Sequence, residues 1–410
     1  MAAHIDLAIR RLVRAVKTLP GAPAVRLSIR AWKNDLRSWR ATRRRRRLST
    51  TRFIAVTGSA GKTTTTELAA RMLATLMPCQ ARSGWNTYDG ITATILSAKP
   101  SGGLWVQEMS GERPGAISRS CALLQPEIGI VTSIGSDHRA AYKSLEATAA
   151  EKGKLIEALP ATGLAVLNAD DPLVVGMASR SSARVVTFGR SGTADLRAHE
   201  ISARFPDRLS LVAEWRGMTL PVRTQLIGEF WLTPVLAALA CALELGADPT
   251  ACATALAGFA PIAGRCSPHR LASGADIVLD TQKAPGWTVP ATLAIARDAR
   301  ASRKTLVFGS LSDFSGKSGR FYRRVARQAL EVADRVAFVG PHAPHVRGLV
   351  GTAGAGRLTI LFQAAELAVY LETNTGPGDL VIVKASRVDG LTTVLGGDRG
   401  TSSPAPEAPR

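Results

Sequence analysis

No two of the five cysteines, Cys79, Cys121, Cys241, Cys252 and Cys266, stand at the two-residue spacing that zinc and dithiol redox sites use. That argues against a zinc ribbon or a thioredoxin-like motif, and the set reads as reduced thiols in a cytosolic compartment. Acidic residues are also few, 32 against 52 Lys and Arg, for a net charge of +20. A membrane-spanning apolar run is missing: the longest, 230–247, is broken by Pro234 and Glu244 and fits a buried helix. Residues 1–20 mix Arg10, Arg11, Arg14 and Lys17 into their apolar positions, unlike the continuous apolar core of a signal peptide.

What is present is a chain of 410 residues, 46% apolar, enough to bury one large or two medium cores. Its charge is concentrated at one end. Residues 1–52 hold fifteen Lys and Arg against Asp6 and Asp35, so +13 of the +20 lies there and +7 in the remainder. Apolar residues recur at helical spacing over 5–16 and again over 25–39, where Leu27, Ile29, Trp32, Leu36 and Trp39 alternate with basic residues before the run Arg43 to Arg47. Two basic amphipathic helices imply that residues 1–47 dock on an anionic membrane surface or a partner protein, the protein then lying at the inner face of the membrane. The competing expectation packs the apolar stripes on the body and leaves the arginines in water. Nucleic acid fits less well, because no reading module accompanies the charge.

The stretch 52–68, RFIAVTGSAGKTTTTEL, carries the chemistry. A short β-favouring run, Phe53 to Val56, leads through Gly58, Ser59, Ala60 and Gly61 into Lys62, Thr63 and Thr64 and an Ala/Leu-rich helical segment. Strand, tight loop and helix N-terminus make an anion site, with Lys62 reaching the outer phosphates of a nucleotide and the Thr63 hydroxyl holding Mg²⁺. The usual phosphate-loop spacing calls for glycine at position 56, where this chain has Val56, so the loop is a shortened relative.

Further strands are expected at 104–106, 128–131 and 163–167, each ending in a polar loop: Glu108 after the first, Asp137-His138 after the second, Asn168 to Pro172 after the third. Glu108, at a strand end, is a candidate metal ligand. A helix is expected over 144–159, with Glu151, Lys152 and Lys154. Strands alternating with helices predict a doubly wound α/β domain. Short alternating runs over 185–222 predict an antiparallel edge. The α/β pattern resumes after 265 and closes on a strand opening into Lys384-Ala385-Ser386-Arg387. The expected division is a leader at 1–51, a central nucleotide-binding domain at 52–260, a smaller Rossmann-like domain at 261–397 and a disordered tail at 398–410.

In this order the motifs resemble those of the Mur ligase family, the ATP-dependent ligases of peptidoglycan and related polymers. Thr57 to Thr64 resembles the family's shortened phosphate loop, Glu108-Met109 with Pro114-Gly115 its metal-binding glutamate segment, and Asp137-His138 its histidine motif. Glu151-Lys152-Gly153 stands where the family carries a lysine that is usually carbamylated. Asn168 to Pro172 and Lys384 to Arg387 resemble segments of the branch that adds D-Ala-D-Ala to the muramyl tripeptide. The resemblance implies ATP and two Mg²⁺, one ion on Thr63 and Glu108 and the other on His138 and a carbamylated Lys152. It implies catalytic roles for Lys62, His138 and Lys152, ATP contacts from residues 58–64, Arg265 and Asp280, and substrate contacts from Asn86, Lys283, Lys384, Ser386 and Arg387. Activation of a carboxylate as an acyl phosphate, followed by attack of an amino acid or other amine, is the implied reaction.

The sequence also departs from the family. About 50 basic residues precede the phosphate loop in place of a folded UDP-sugar-binding domain, the family's His-Asn before the Ala-rich helix is Phe230-Trp231, and a later Asn is Pro234. The expected function is therefore an amide ligase acting outside standard UDP-muramyl peptide synthesis. The alternatives are a true D-Ala-D-Ala-adding ligase and a non-ligating ATP-binding subunit.

Overall fold

In a computed structural model the chain is described over residues 22–98 and 102–396. The helix expected over 5–16 and the tail expected over 398–410 lie outside the described residues. Helix α1 (Ala22–Arg46) precedes β1 (Thr51–Thr57), α2 (Lys62–Leu73), β2 (Cys79–Arg82), α3 (Tyr88–Ser97), β3 (Gly103–Glu108), α4 (Ala116–Leu124), β4 (Ile128–Val131), α5 (Leu145–Glu157) and β5 (Leu164–Asn168). A short helix α6 (Pro172–Val175) leads to β6 (Arg184–Gly189), β7 (Leu196–Ser202), β8 (Ser210–Trp215) and β9 (Met218–Arg223), then to α7 (Leu232–Glu244) and α8 (Pro249–Ala257).

These strands form one nine-stranded sheet in the order β2-β3-β1-β4-β5-β6-β7-β8-β9. It is parallel from β2 to β7, and β8 and β9 add the expected antiparallel edge. Strands buried on both faces read as unbroken apolar runs, which is why Phe53 to Val56 and Ile128 to Val131 were legible. Strand order reverses at β1, so the loop after it opens into the crevice where doubly wound sheets bind ligands.

A second sheet, β10-β11-β15-β12-β13-β14, comprises β10 (Arg265–Arg270), β11 (Asp276–Asp280), β12 (Lys304–Phe308), β13 (Arg335–Val339), β14 (Leu358–Leu361) and β15 (Leu380–Lys384). Helices α9 (Val289–Asp298), α10 (Ser318–Val332) and α11 (Ala364–Asn374) accompany it. Only β10 runs antiparallel to its neighbour, β11. Residues 260–264 run directly into β10. Its sequence RCSPHR has no strand pattern, yet Pro268 is tolerated because β10 lies at the sheet edge, where a missing N–H breaks no ladder. Between Ala257 and Arg265 the chain passes from one sheet to the other, which is where a domain boundary at 260/261 is proposed.

The basic run of the leader divides in two. Arg44 donates through Nε to Ala98 O at the C-terminal end of α3 (3.2 Å). Arg45 donates to Leu124 O (2.6 Å) and Gln125 O (3.2 Å) at the end of α4, with its guanidinium 4.2 Å from the Phe53 ring centre. Cations at helix C-termini satisfy orphan carbonyls and favour the helix dipole. Ala41 and Leu48 are buried beside them, whereas Trp32 and Trp39 stay half exposed.

Candidate active site

Residues 58–61 leave β1 and turn into α2. Gly58 has φ +143°, and a Cβ there would fall 1.9 Å from Thr132 Oγ1, so only glycine passes the end of β4 at this point. The same hydroxyl donates to Ala60 O (2.6 Å), and Ser59 N donates to Ser133 O (2.8 Å). Gly61, at φ +76°, caps α2 without any side-chain bond, leaving the helix N–H groups for an anion.

Lys62 curls back to donate to Gly58 O (2.9 Å) and lies 3.9 Å from Asp137 Oδ2. Burial pushes its pKa down, against the opposing pull of Asp137 and Glu108. Thr63 Oγ1 donates to Glu108 Oε2 (2.9 Å), which also accepts from Gly84 N (3.0 Å), while Asn86 Nδ2 donates to Oε1 (2.8 Å). Burial alone would raise the Glu108 carboxyl. Lys62, the Gly84 N–H, Asn86 and Arg265 outweigh it and hold the group below its ordinary range. Asn86 is thus placed on Glu108.

Asp137 is fully buried at the loop after β4. Its Oδ1 accepts from Lys283 Nζ (2.7 Å), and Oδ2 lies 3.3 Å from His138 Nε2 without a hydrogen-bond partner. The burial penalty is overcome by Lys62, Lys283 and His138, so this carboxyl too is held low. His138 adopts φ +52°, a left-handed backbone that histidine tolerates better than most side chains. Its pKa is lowered, first by burial, although Asp137 pulls the other way.

Lys152, on α5, is 1% exposed, and its ammonium nitrogen has no partner. Burial, aided by Lys62, drives its pKa from an ordinary 10.5 down to about 7. The neighbouring Glu151 is occupied elsewhere, accepting from Gly115 N and Ile117 N (2.8 Å each) at the start of α4. Two residues that sequence reasoning missed share this region: Glu112 Oε2 and the Tyr142 hydroxyl are buried and unpartnered. Their residue types are common, and only burial singles them out.

The second sheet closes the cavity. Arg265, Asp280, Lys283 and Lys384 line, together with Lys62, Thr63, Glu108 and His138, one cavity of about 720 Å³. Lys384 Nζ donates to Asp280 Oδ2 (2.5 Å). Ser386 and Arg387 are not brought into the cavity: Ser386 N donates to Asp389 Oδ2 (2.9 Å), and Arg387 is exposed. The Asn168 to Pro172 segment is a brace, with Asn168 Nδ2 donating to Thr132 O (2.9 Å) and Asp171 Oδ2 accepting from Ile134 N (2.7 Å).

Comparison with known proteins matches residues 56–242 to the Mur ligase middle domain. The UDP-N-acetylmuramoyl-tripeptide--D-alanyl-D-alanine ligase of Mycobacterium tuberculosis is 31% identical over 369 residues, 83% of this chain and 72% of the relative. The chain is a member of the Mur ligase family. Membership makes it an ATP-dependent ligase that forms amide bonds. The UDP-N-acetylmuramate--L-alanine ligase of Stenotrophomonas maltophilia (strain K279a) is 30% identical over 353 residues, 81% of this chain and 71% of that one. In fold, the crystal structure of MurF ligase from Thermotoga maritima in complex with ADP superposes with a TM-score of 0.77 at 22% identity, covering 88% of this chain and 83% of that one.

Among the described residues no three His, Cys, Asp or Glu side chains converge as a metal cluster. The pair Thr63 and Glu108 nevertheless offers hard oxygens beside the phosphate loop, the donor set of a Mg²⁺ shared with nucleotide phosphates. The orphaned Lys152 nitrogen fits a lysine awaiting a carbamate. No helix among the described residues is long and apolar enough to cross a membrane.

Proposed function

We propose that the cavity is the catalytic centre of a ligase that phosphorylates a peptide carboxylate from ATP and joins the acyl phosphate to an amine, as the D-alanyl-D-alanine-adding ligases do. The supporting observation is the convergence of Lys62, Thr63, Glu108 and His138 from one sheet with Arg265, Asp280, Lys283 and Lys384 from the other on a single cavity. The 31% identity to the M. tuberculosis ligase favours this substrate class over ligation outside muramyl-peptide synthesis, the first expectation from the sequence. The intact Lys62, Thr63, Glu108, His138 and Lys152 weigh against a subunit that no longer ligates.

A carboxylate resists amine attack because oxide is a poor leaving group; phosphorylation replaces it with phosphate. Lys62 and the free N–H groups of α2 would hold the charge of the transferring phosphoryl, and Arg265 and Lys283 add to that field. Mg²⁺ on Thr63 and Glu108, and a second ion on His138 and carbamylated Lys152, would supply further charge neutralisation when bound. Residues 58–64 would contact the phosphates and Asp280 the ribose. Ser386 and Arg387 would reach the substrates only in a more closed arrangement, which compaction in solution scattering on nucleotide binding would report.

The test is incubation with Mg·ATP, hydroxylamine and candidate carboxylates, UDP-muramyl tripeptide first. A hydroxamate of the acid is expected, since hydroxylamine intercepts acyl phosphates; phosphate release with no hydroxamate from any acid would defeat the ligase mechanism.

For the leader, the proposed partner is an anionic membrane surface. Trp32 and Trp39 lie two helical turns apart on α1, both half exposed, with Arg43 4.8 Å from the Trp39 ring centre. The Trp32→Ser/Trp39→Ser variant is expected to lose most of its sedimentation with anionic vesicles, because it removes both half-exposed interfacial rings. Equal sedimentation of both proteins would remove the docking role.

A further inference from the structure

Helix α1 turns one face to the body of the protein. Arg37, Ala41 and Arg44 recur at four- and three-residue spacing, which puts them on one side of the helix, opposite Trp32 and Trp39. On that side Ala41 is buried and Arg44 donates to Ala98 O at the end of α3. Arg37 is exposed, with no hydrogen bond or ion pair among the described residues.

Between α1 and α3 lies a groove of about 690 Å³. It is lined by Arg37 from α1, by Trp85 and Thr87 from the loop before α3, by Asp89 in the first turn of α3, and by Ala93 and Leu96 farther along that helix. Thr87 also lines the catalytic cavity, as does its neighbour Asn86, so groove and cavity meet at this loop. The junction is held in place: Glu108 accepts from Gly84 N and Asn86 Nδ2, and the Thr87 hydroxyl accepts from Gly90 N (3.3 Å). Asp89, exposed like Arg37, makes no pair with it or with any other described residue.

A carboxylate phosphorylated beside the phosphate loop belongs to a larger molecule, and a groove that opens into the cavity is where the rest of that molecule can lie. Two opposite charges that leave each other unpaired, above the small apolar side chains of α3, suit a zwitterionic peptide better than a neutral glycan or a lipid tail. The Arg37 guanidinium presents a fork of donors that matches a carboxylate, and Asp89 accepts from an ammonium.

We propose that this groove binds the peptide of the acid substrate, with Arg37 taking a carboxylate upstream of the reacting one and Asp89, two residues from Thr87, taking an amine. The inference rests on the ligase reading given above. Helix α1 lies outside residues 56–242, which match the family's middle domain, so the Arg37 wall comes from outside that shared unit.

The test follows hydroxamate formation by the full chain with Mg·ATP, hydroxylamine and UDP-muramyl tripeptide with lysine as its third residue. Arg37→Ala is expected to raise the KM for the tripeptide about tenfold, the scale of losing a hydrogen bond to a charged group, with kcat and the KM for ATP within about twofold of wild type. Arg37→Lys, which keeps the charge, recovers most of the loss. Asp89→Asn is expected to raise the same KM about fivefold, again without moving the KM for ATP. A KM for the tripeptide within twofold of wild type in either Arg37→Ala or Asp89→Asn overturns this inference alone, as does a parallel rise in the KM for ATP. A wild-type protein that forms no hydroxamate with the tripeptide overturns the proposed substrate class and this inference with it.

Discussion

Replacing Lys152 with methionine is expected to lower ligase activity by about 10²- to 10³-fold, the scale of removing a group that stabilises charge at the reaction centre. The same change is expected to leave the fold intact. Lys152 is buried, its nitrogen has no partner, and its pKa is depressed to about 7, chiefly by burial. Only the neutral amine adds CO₂, forming the carbamate and releasing one proton, and the neutral fraction shrinks as pH falls through 7. Activity should therefore decline on the acid side of about pH 7 and recover when bicarbonate is added to CO₂-depleted enzyme. The stability signature has the opposite origin and a definite sign. Between pH 7 and 10.5 the unfolded chain holds a proton on Lys152 that the CO₂-depleted folded protein does not, so folded stability rises with pH across that window. Lys152→Met removes this dependence. Labelling with ¹³C-bicarbonate should show one carbamate carbon in the wild type that is missing in the variant; full activity of Lys152→Met, or an unlabelled wild type, would end the carbamate assignment.

Lys62→Met should reduce kcat by about 10³-fold or more, while thermal unfolding changes little. Lys62 is a buried cation whose pKa is lowered by desolvation, so its removal relieves a burial cost even as Asp137 and Glu108 lose a neighbour. Asp137 keeps its 2.7 Å bond from Lys283, and Glu108 keeps Thr63, Gly84 and Asn86. The loss thus belongs to the charge on the transferring phosphoryl and to little else. Hydroxamate formation should fall in parallel with amide formation, since both pass through the same first step. A kcat within tenfold of wild type would show that the phosphate loop lysine is not what holds the phosphoryl group.

Much of this arrangement was legible along the chain because its causes are local. A β-favouring run, two glycines and Lys62-Thr63 within a dozen residues specify strand, tight loop and helix N-terminus. The buried strands of both sheets read as apolar runs, and the ends of those runs delivered Glu108, His138 and Lys384 as candidates. The charge division between leader and body was likewise a matter of counting. What escaped was nonlocal. Strand β10, with Pro268, is stable only because a sheet edge does not need its N–H. Arg44 and Arg45 found the ends of α3 and α4, 54 and 79 residues away, so part of the basic run belongs to the body of the protein.

The sequence by itself determined the family, the phosphate loop and the order of the motifs, because short-range geometry and residue chemistry suffice for those. Only the tertiary structure decided that Lys283 meets Asp137 across 146 positions, that Asn86 and Gly84 serve Glu108, and that Lys152, Trp231 and Trp287 are left with unpartnered nitrogens. Burial, pairing and pKa depend on which groups the fold brings within a few ångströms and on the water it removes, and neither is a property of neighbours in sequence.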